Sequence, residues 1–197
     1  MPLLLQLMFP SLTWRIPEIG KTIYLTFDDG PIPEITPWVL KTLDEFNALA
    51  TFFCIGDNVM KNPDLITLLL NSKHTLGNHT MHHLNGWQSK NKKYFSDISE
   101  CKQLINSKLF RPPFGKIKLS QVWKLKKEFR IIMWDVLSKD YDTSLTGEDC
   151  FENVKRNTKN GSIIVFHDSL KAEKRLRFAL PQTLKYFSEQ GYSFAAL

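Results

Sequence analysis

Short runs of β-branched and aromatic residues alternate along the chain with longer stretches whose apolar positions recur every three or four residues. The short runs predict strands at Thr22–Phe27, Ala50–Ile55, Lys73–Leu76, Leu109–Arg111, Ile131–Val136, Ser162–Phe166 and Tyr192–Ala195. The longer stretches predict helices at Thr36–Phe46, Pro63–Asn71, Phe95–Ser107, Leu119–Phe129, Gly147–Asn157 and Arg175–Gln190. Pro37 and Pro63 suit first-turn positions, Asn62 suits the cap of the second helix, and Asn160-Gly161 suits a helix end. Strands such as IYLTF and SIIVF are nearly all apolar, as expected when both faces are covered. A strand–helix repeat of about 28 residues predicts a run of parallel βα units.

The polar residues gather where these strands end. Asp28 and Asp29 follow the first strand, and His79 and His83 follow the third. Arg111 ends the fourth, Asp135 to Asp140 follow the fifth, and His167 follows the sixth. In a βα barrel the C-terminal ends of all strands converge on one face. An open doubly wound sheet gathers only the two loops at its switch point. Contributions from five loops therefore predict an α/β, TIM-barrel-like fold in a single domain.

Length and composition agree and narrow the partners. The 197 residues suit one domain, read as a packing segment over 1–20 and a main domain over 21–197. With 43% hydrophobic and 23% charged residues, a disordered tail, a collagen-like rod and a coiled coil are excluded. Cys54, Cys101 and Cys150 form no CxxC pair, so neither a disulfide framework nor a thiolate zinc site is expected. A net charge of +6 is compatible with an anionic polymer or surface, but such moderate basicity alone says little about a partner. No Arg-rich block or nucleic-acid motif accompanies it, so nucleic acid is not expected. The opening MPLLLQLMF lacks a basic leader and a cleavage site, and it is too short to span a bilayer. No transmembrane segment is expected. The location reads as cytoplasmic, or envelope-associated if the chain begins at the stub of a truncated anchor.

Four short segments carry chemistry. In Thr26-Phe27-Asp28-Asp29-Gly30-Pro31, two adjacent carboxylates follow a buried strand and point in different directions. One can bind a metal while the other faces its water, although Asp-Gly-Pro is also ordinary turn chemistry. His79 and His83 stand at i, i+4, where a helical turn would aim both rings the same way, as two ligands on zinc require. His79 with His82 is a second pairing. Two imidazoles and a carboxylate leave one position open for water, whose pKa zinc lowers to about 7. Arg111 can hold a carboxylate ionised, and Pro112-Pro113 stiffen a loop whose Phe114 N–H can donate to an oxyanion. His167, directly after an apolar strand, suits a general acid and equally a core histidine.

Together, TFDDGP, the HTxxH of His79–His83, RPPFG and the late FHD resemble the polysaccharide deacetylase family, carbohydrate esterase family 4 or NodB-homology domain. The resemblance runs from Lys21 to Ala195 and makes 21–197 the catalytic domain. It implies a distorted (β/α)7 barrel and a divalent metal, Zn2+ first, with Co2+, Ni2+ or Mn2+ as alternatives. It implies Asp29, His79 and His83 as metal ligands, Asp28 as general base and Arg111 as its orienting partner. Phe114 N–H would donate to the oxyanion, and His167 would protonate the leaving amine. Pro113 and Trp87 are the expected substrate contacts, Trp87 as a stacking platform. Two positions depart from the family. Phe114 stands where Tyr is common, and the DxxDW segment reads Leu137-Ser138-Lys139-Asp140-Tyr141. With Leu137 in place of the leading acid, Asp140 or Asp135 is left to orient His167.

The implied reaction removes N-acetyl groups from an amino-sugar polysaccharide or oligosaccharide, peptidoglycan- or chitin-like. The expected partner is that N-acetylated carbohydrate, and the oligomeric state is left open. Two alternatives stand beside it: an acetyl-ester hydrolase on xylan-type or small acetylated substrates, and a non-catalytic glycan- or metal-binding barrel.

Overall fold

The computed structural model describes residues 9–17 and 20–197, so the expected packing segment over 1–20 lies partly outside the described residues. The strands are β1 (Thr22–Asp28), β2 (Ala50–Cys54), β3 (Thr75–Asn78), β4 (Leu109–Phe110), β5 (Arg130–Ile131), β6 (Val136–Leu137), β7 (Ile163–His167) and β8 (Ser193–Phe194). The helices are α1 (Thr36–Glu45), α2 (Gly56–Lys61), α3 (Pro63–Leu70), α4 (Asn91–Leu104), α5 (Leu119–Leu125), α6 (Gly147–Asn157) and α7 (Glu173–Glu189). The strands pair in parallel in the order β5-β4-β3-β2-β1-β7-β6, and β8 pairs the start of β1. This is a distorted (β/α)7 barrel in one domain. Among the described residues no helix is long and apolar enough to cross a membrane.

Alternation along β1 and β7 positions the site. Ile23, Leu25 and Phe27 join the outer core with Val39 and Leu43 of α1 and with Leu176, Leu180 and Leu184 of α7. Tyr24 has the opposite parity and joins an inner cluster with Phe53, Phe110, Ile163 and Val165. Side chains alternate faces along a strand, so Thr26 and Asp28 follow Tyr24, and His167 follows Ile163 and Val165. The register then pairs Asp28 of β1 with His167 of β7.

Three local expectations change. The single strand expected over Ile131–Val136 is two short strands on opposite edges of the sheet, β5 on β4 and β6 on β7. The segment between them has to cross the seam of the barrel, so it cannot stay in one ladder. Part of the N-terminal segment takes its place there. Thr13 N–H donates to Ile131 O at 2.9 Å, Met133 N–H donates to Thr13 O at 2.7 Å, and Ile16 N–H donates to Gly161 O at 2.9 Å. Leu12 and Trp14 fill the inner cluster beneath this seam. Asp135, one candidate partner for His167, is spent here as well: it accepts Ser162 Oγ at 2.8 Å and Ile163 N–H at 2.9 Å. Helix α2 was not expected, because its six residues offer little apolar periodicity. Asn62 does not cap α3 with its side chain; its amide donates to Pro31 O and Asn58 O instead.

Trp14→Ala removes the largest side chain of the seam segment. It should cost about 3–5 kcal/mol of stability in urea denaturation, the range for a buried Trp truncation. A loss below about 1 kcal/mol would mean that the seam does not depend on this contact.

Candidate active site

Asp28 sits at the top of β1 facing inward, and Arg111 reaches it from the end of β4. Arg111 is fully buried. Its Nη1 donates to Asp28 Oδ1 and to Thr26 Oγ1, each at 2.7 Å, and its Nη2 donates to Met133 O at 3.0 Å. The guanidinium lies over the Phe53 ring, 4.2 Å from its centroid. Gly77 of β3 makes room for that ring: a Cβ there would come within 2.4 Å of it. Burial lowers the Arg111 pKa and the Asp28 carboxylate raises it.

Beside Asp28 a three-residue cluster gathers. Ligand-type atoms of Asp29, His79 and His83 all lie within 4.8 Å of one another. His83 Nε2 is 3.2 Å and His79 Nε2 is 3.7 Å from Asp29 Oδ1. His79 Nδ1 is 2.8 Å from Arg111 O, a carbonyl that can only accept. Nδ1 therefore carries the proton and Nε2 keeps its lone pair, the tautomer a metal ligand needs. Burial pushes His79 down to about 4, so it is neutral at physiological pH. Burial alone would raise Asp29, but the His83 hydrogen bond and the neighbouring histidine charges hold it at about 2. One carboxylate and two imidazoles fit a divalent cation of the zinc type with an open coordination position.

The rings converge differently from the helical turn expected for His79–His83. Residues 79–83 form no helix. Thr80 and His83 instead take left-handed backbone conformations, with φ of 67° and 54°. Such non-glycine conformations cost about 1–3 kcal/mol each and persist only where surrounding contacts enforce them. His82, the second pairing considered, turns away to Asp97 at 2.6 Å.

His167 stands across the site. Its Nδ1 donates to Asp140 Oδ1 at 2.7 Å, and its backbone N–H donates to Asp140 Oδ2 at 2.8 Å. The orienting acid is thus Asp140, and the Leu137 substitution leaves no gap. Burial alone would lower the imidazole, but the Asp140 charge and hydrogen bond, with Asp29 and Asp28, raise it to about 9. The next residue, Asp168, braces the turn after β1. It accepts Gly30 N–H at 3.1 Å and Thr36 Oγ1 at 2.6 Å, while its own N–H donates to Asp28 O at 3.1 Å. A Cβ on Gly30 would lie 2.0 Å from that carboxyl. Burial pushes Asp168 up to about 8.

Asp28, Asp29, His79, His83 and His167 line a cavity of about 380 Å³ with Phe114, Trp134, Leu137, Tyr141, Val165 and Lys171. A polysaccharide deacetylase family model matches residues 15–131. The chain belongs to the polysaccharide deacetylase family. It is 37% identical over 193 residues to a peptidoglycan-N-acetylglucosamine deacetylase of Bacillus cereus, covering 94% of this chain and 90% of that protein. It is 32% identical over 162 residues to a chitooligosaccharide deacetylase of Azorhizobium caulinodans, covering 78% and 77%. A solved structure of the Bc1960 peptidoglycan N-acetylglucosamine deacetylase superposes with a TM-score of 0.87 at 30% identity, covering 95% of this chain and 91% of that one.

Against the polysaccharide deacetylase pattern, Phe114 holds a left-handed conformation, φ 60°, between Pro113 and Gly115. Its ring packs 4.5 Å from that of His83. Its N–H has no acceptor among the described residues. Pro113 is buried beneath it and is not part of the cavity lining, nor is Trp87. Trp87 is exposed, with its indole N–H on Ile117 O at 3.0 Å and the Lys116 ammonium 5.6 Å from its ring. Asp97, Asp168 and Lys171 were not singled out from sequence, because each gains its place only through contacts distant along the chain.

Arg111→Met should destabilise the protein by about 3–5 kcal/mol, because it strands a buried carboxylate without its partner. The double variant with Asp28→Asn should recover a sizeable part of that loss. Chemical denaturation of the two single variants and the double variant measures the coupling, and simple additivity would contradict it.

Proposed function

We propose that the chain hydrolyses the N-acetyl group of N-acetylglucosamine units in a peptidoglycan- or chitin-type glycan. The carrying observation is the asymmetry across the cavity: a carboxylate locked to Arg111 faces an imidazole ring locked to Asp140. Held in this way, the carboxylate can take a proton and the imidazole can give one. Asp28 takes the proton from the attacking water as its oxygen bonds to the acetyl carbon. The Phe114 N–H donates to the oxyanion that develops on the carbonyl oxygen, a contact worth about 3–4 kcal/mol in comparable sites. As the C–N bond breaks, His167 Nε2 gives its proton to the departing nitrogen, leaving acetate and a free amino sugar. Asp29, His79 and His83 would hold a divalent cation, best matched by zinc, which when bound supplies Lewis-acid polarisation and a more acidic water.

Acetyl-ester hydrolysis, an activity within the same family, gained weight from the missing acid at Leu137. Asp140 fills that role in the geometry, so the ester reading loses that weight. A panel of zinc-loaded reactions, with acetate release as readout, separates the options. Acetate is expected from N-acetylated chitooligosaccharide or peptidoglycan. Acetate from acetylated xylan alone, or from no substrate, would contradict the proposal.

The acid role also sets a pH dependence. His167 acts while protonated, and the Asp140 charge and hydrogen bond raise its pKa, so turnover should fall on the alkaline side as the imidazolium loses its proton. Asp140→Asn removes the charge that raises His167, so the alkaline limb should move to lower pH. General-acid catalysis contributes about 10²–10⁴-fold, so the variant should be most impaired on the alkaline side. An unchanged alkaline limb in kcat would assign the limb to another group.

A further inference from the structure

The loop that joins the two histidines of the metal cluster is held from outside the cavity by one carboxylate. Asp97, on α4, is buried. Its Oδ2 accepts Met81 N–H at 2.8 Å and His82 N–H at 3.1 Å, and its Oδ1 accepts His82 Nδ1 at 2.6 Å. The other polar groups of the loop are anchored too. Thr80 N–H donates to Asn78 Oδ1 at 2.9 Å. Gly56 and Asp57, at the start of α2, donate to Thr80 O and Met81 O at 3.0 and 2.9 Å. Carbonyls of the loop are thus held by α2, and its two central amides by Asp97. Those amides lie between Thr80 and His83, the two residues in left-handed conformations. Without an acceptor the buried Met81 amide would be unpaired and the His82 amide would lose its partner, and the loop would relax toward ordinary backbone angles.

We propose that Asp97 is a positioning residue of the metal site, setting the spacing of the His79 and His83 imidazoles through the two amides that link them. It does not line the cavity and touches no reacting group. It rests on the deacetylase reading only in taking the Asp29, His79 and His83 cluster as a cation site. Groups that orient metal ligands in this way typically govern metal affinity by about 10–100-fold.

Zinc affinity, read by competition with a chromophoric chelator, tests this without any substrate. Asp97→Ala should bind zinc about 10–100-fold more weakly than the native chain. Asp97→Asn keeps the volume and one acceptor oxygen, so it should fall between the two. His82→Leu removes only the side-chain donor and should lose less than Asp97→Ala. Far-UV circular dichroism of the metal-free proteins checks the fold, and if Asp97→Ala does not fold, the Asp97→Asn affinity decides. Acetate release by Asp97→Asn should be poor at limiting zinc and return close to native kcat at saturating zinc, a dependence that a general loss of fold would not show. Native zinc affinity in a folded Asp97→Asn or Asp97→Ala protein overturns the proposal. Weakened zinc binding in the variants, with no acetate released even by the native chain, would sink the deacetylase reading and leave the positioning role standing.

Discussion

Arg111 lies wholly inside the barrel, its guanidinium shared among Thr26 Oγ1, Asp28 Oδ1, Ile132 O and Met133 O. Taking a guanidinium and a carboxylate out of water costs several kcal/mol per ion, and only good geometry with every donor used offsets that. Here the partners come from two places that both need one. Asp28 ends β1, and residues 132–133 cross the seam where no neighbouring strand supplies a full ladder. One residue therefore fixes the proposed base and helps close the barrel. The apolar packing around it serves the same end: Phe53 gives the cation an aromatic face, and Gly77 gives Phe53 its room.

From that fixed point the site is built outward by braces rather than by the loops themselves. Asp140 grips His167 at both its ring and its backbone. Asp168 ties the end of β7 to the Asp28-Asp29-Gly30 turn, so the proposed acid and base share one bracket. Arg111 O sets the tautomer of His79 while its side chain holds Asp28, which links the metal cluster to the base through a single residue. The left-handed residues Asp29, Thr80, His83 and Phe114 all border the cavity or its loops. Strain gathered there is the expected signature of a preorganised site.

Much of this was legible in the residues. The alternation through Tyr24, Thr26 and Asp28 gives an inward carboxylate, and an apolar run ending in His167 gives its neighbour. Motif spacing singled out Asp29, His79, His83 and Arg111; the structure clusters the first three, while Arg111 pairs with Asp28 and meets His79 through its carbonyl. What escaped depends on contacts between distant segments. The split of Ile131–Val136 follows from the seam, which only the closed sheet defines. Asp140 and Asp135 looked interchangeable, yet Asp135 is committed to Ser162 and Ile163 while Asp140 meets His167, 27 residues away. Asp97 reads as an ordinary acidic residue on a helix until α4 packs against the histidine loop.

The most direct test of the central claim, that Arg111 holds Asp28 as the base, is Asp28→Asn measured for both bound zinc and acetate release. The substitution keeps the shape of the side chain and leaves Asp29, His79 and His83 intact. Zinc should remain stoichiometric while kcat falls by about 10²–10⁴-fold. Full turnover on an N-acetylated glycan with zinc in place would contradict it.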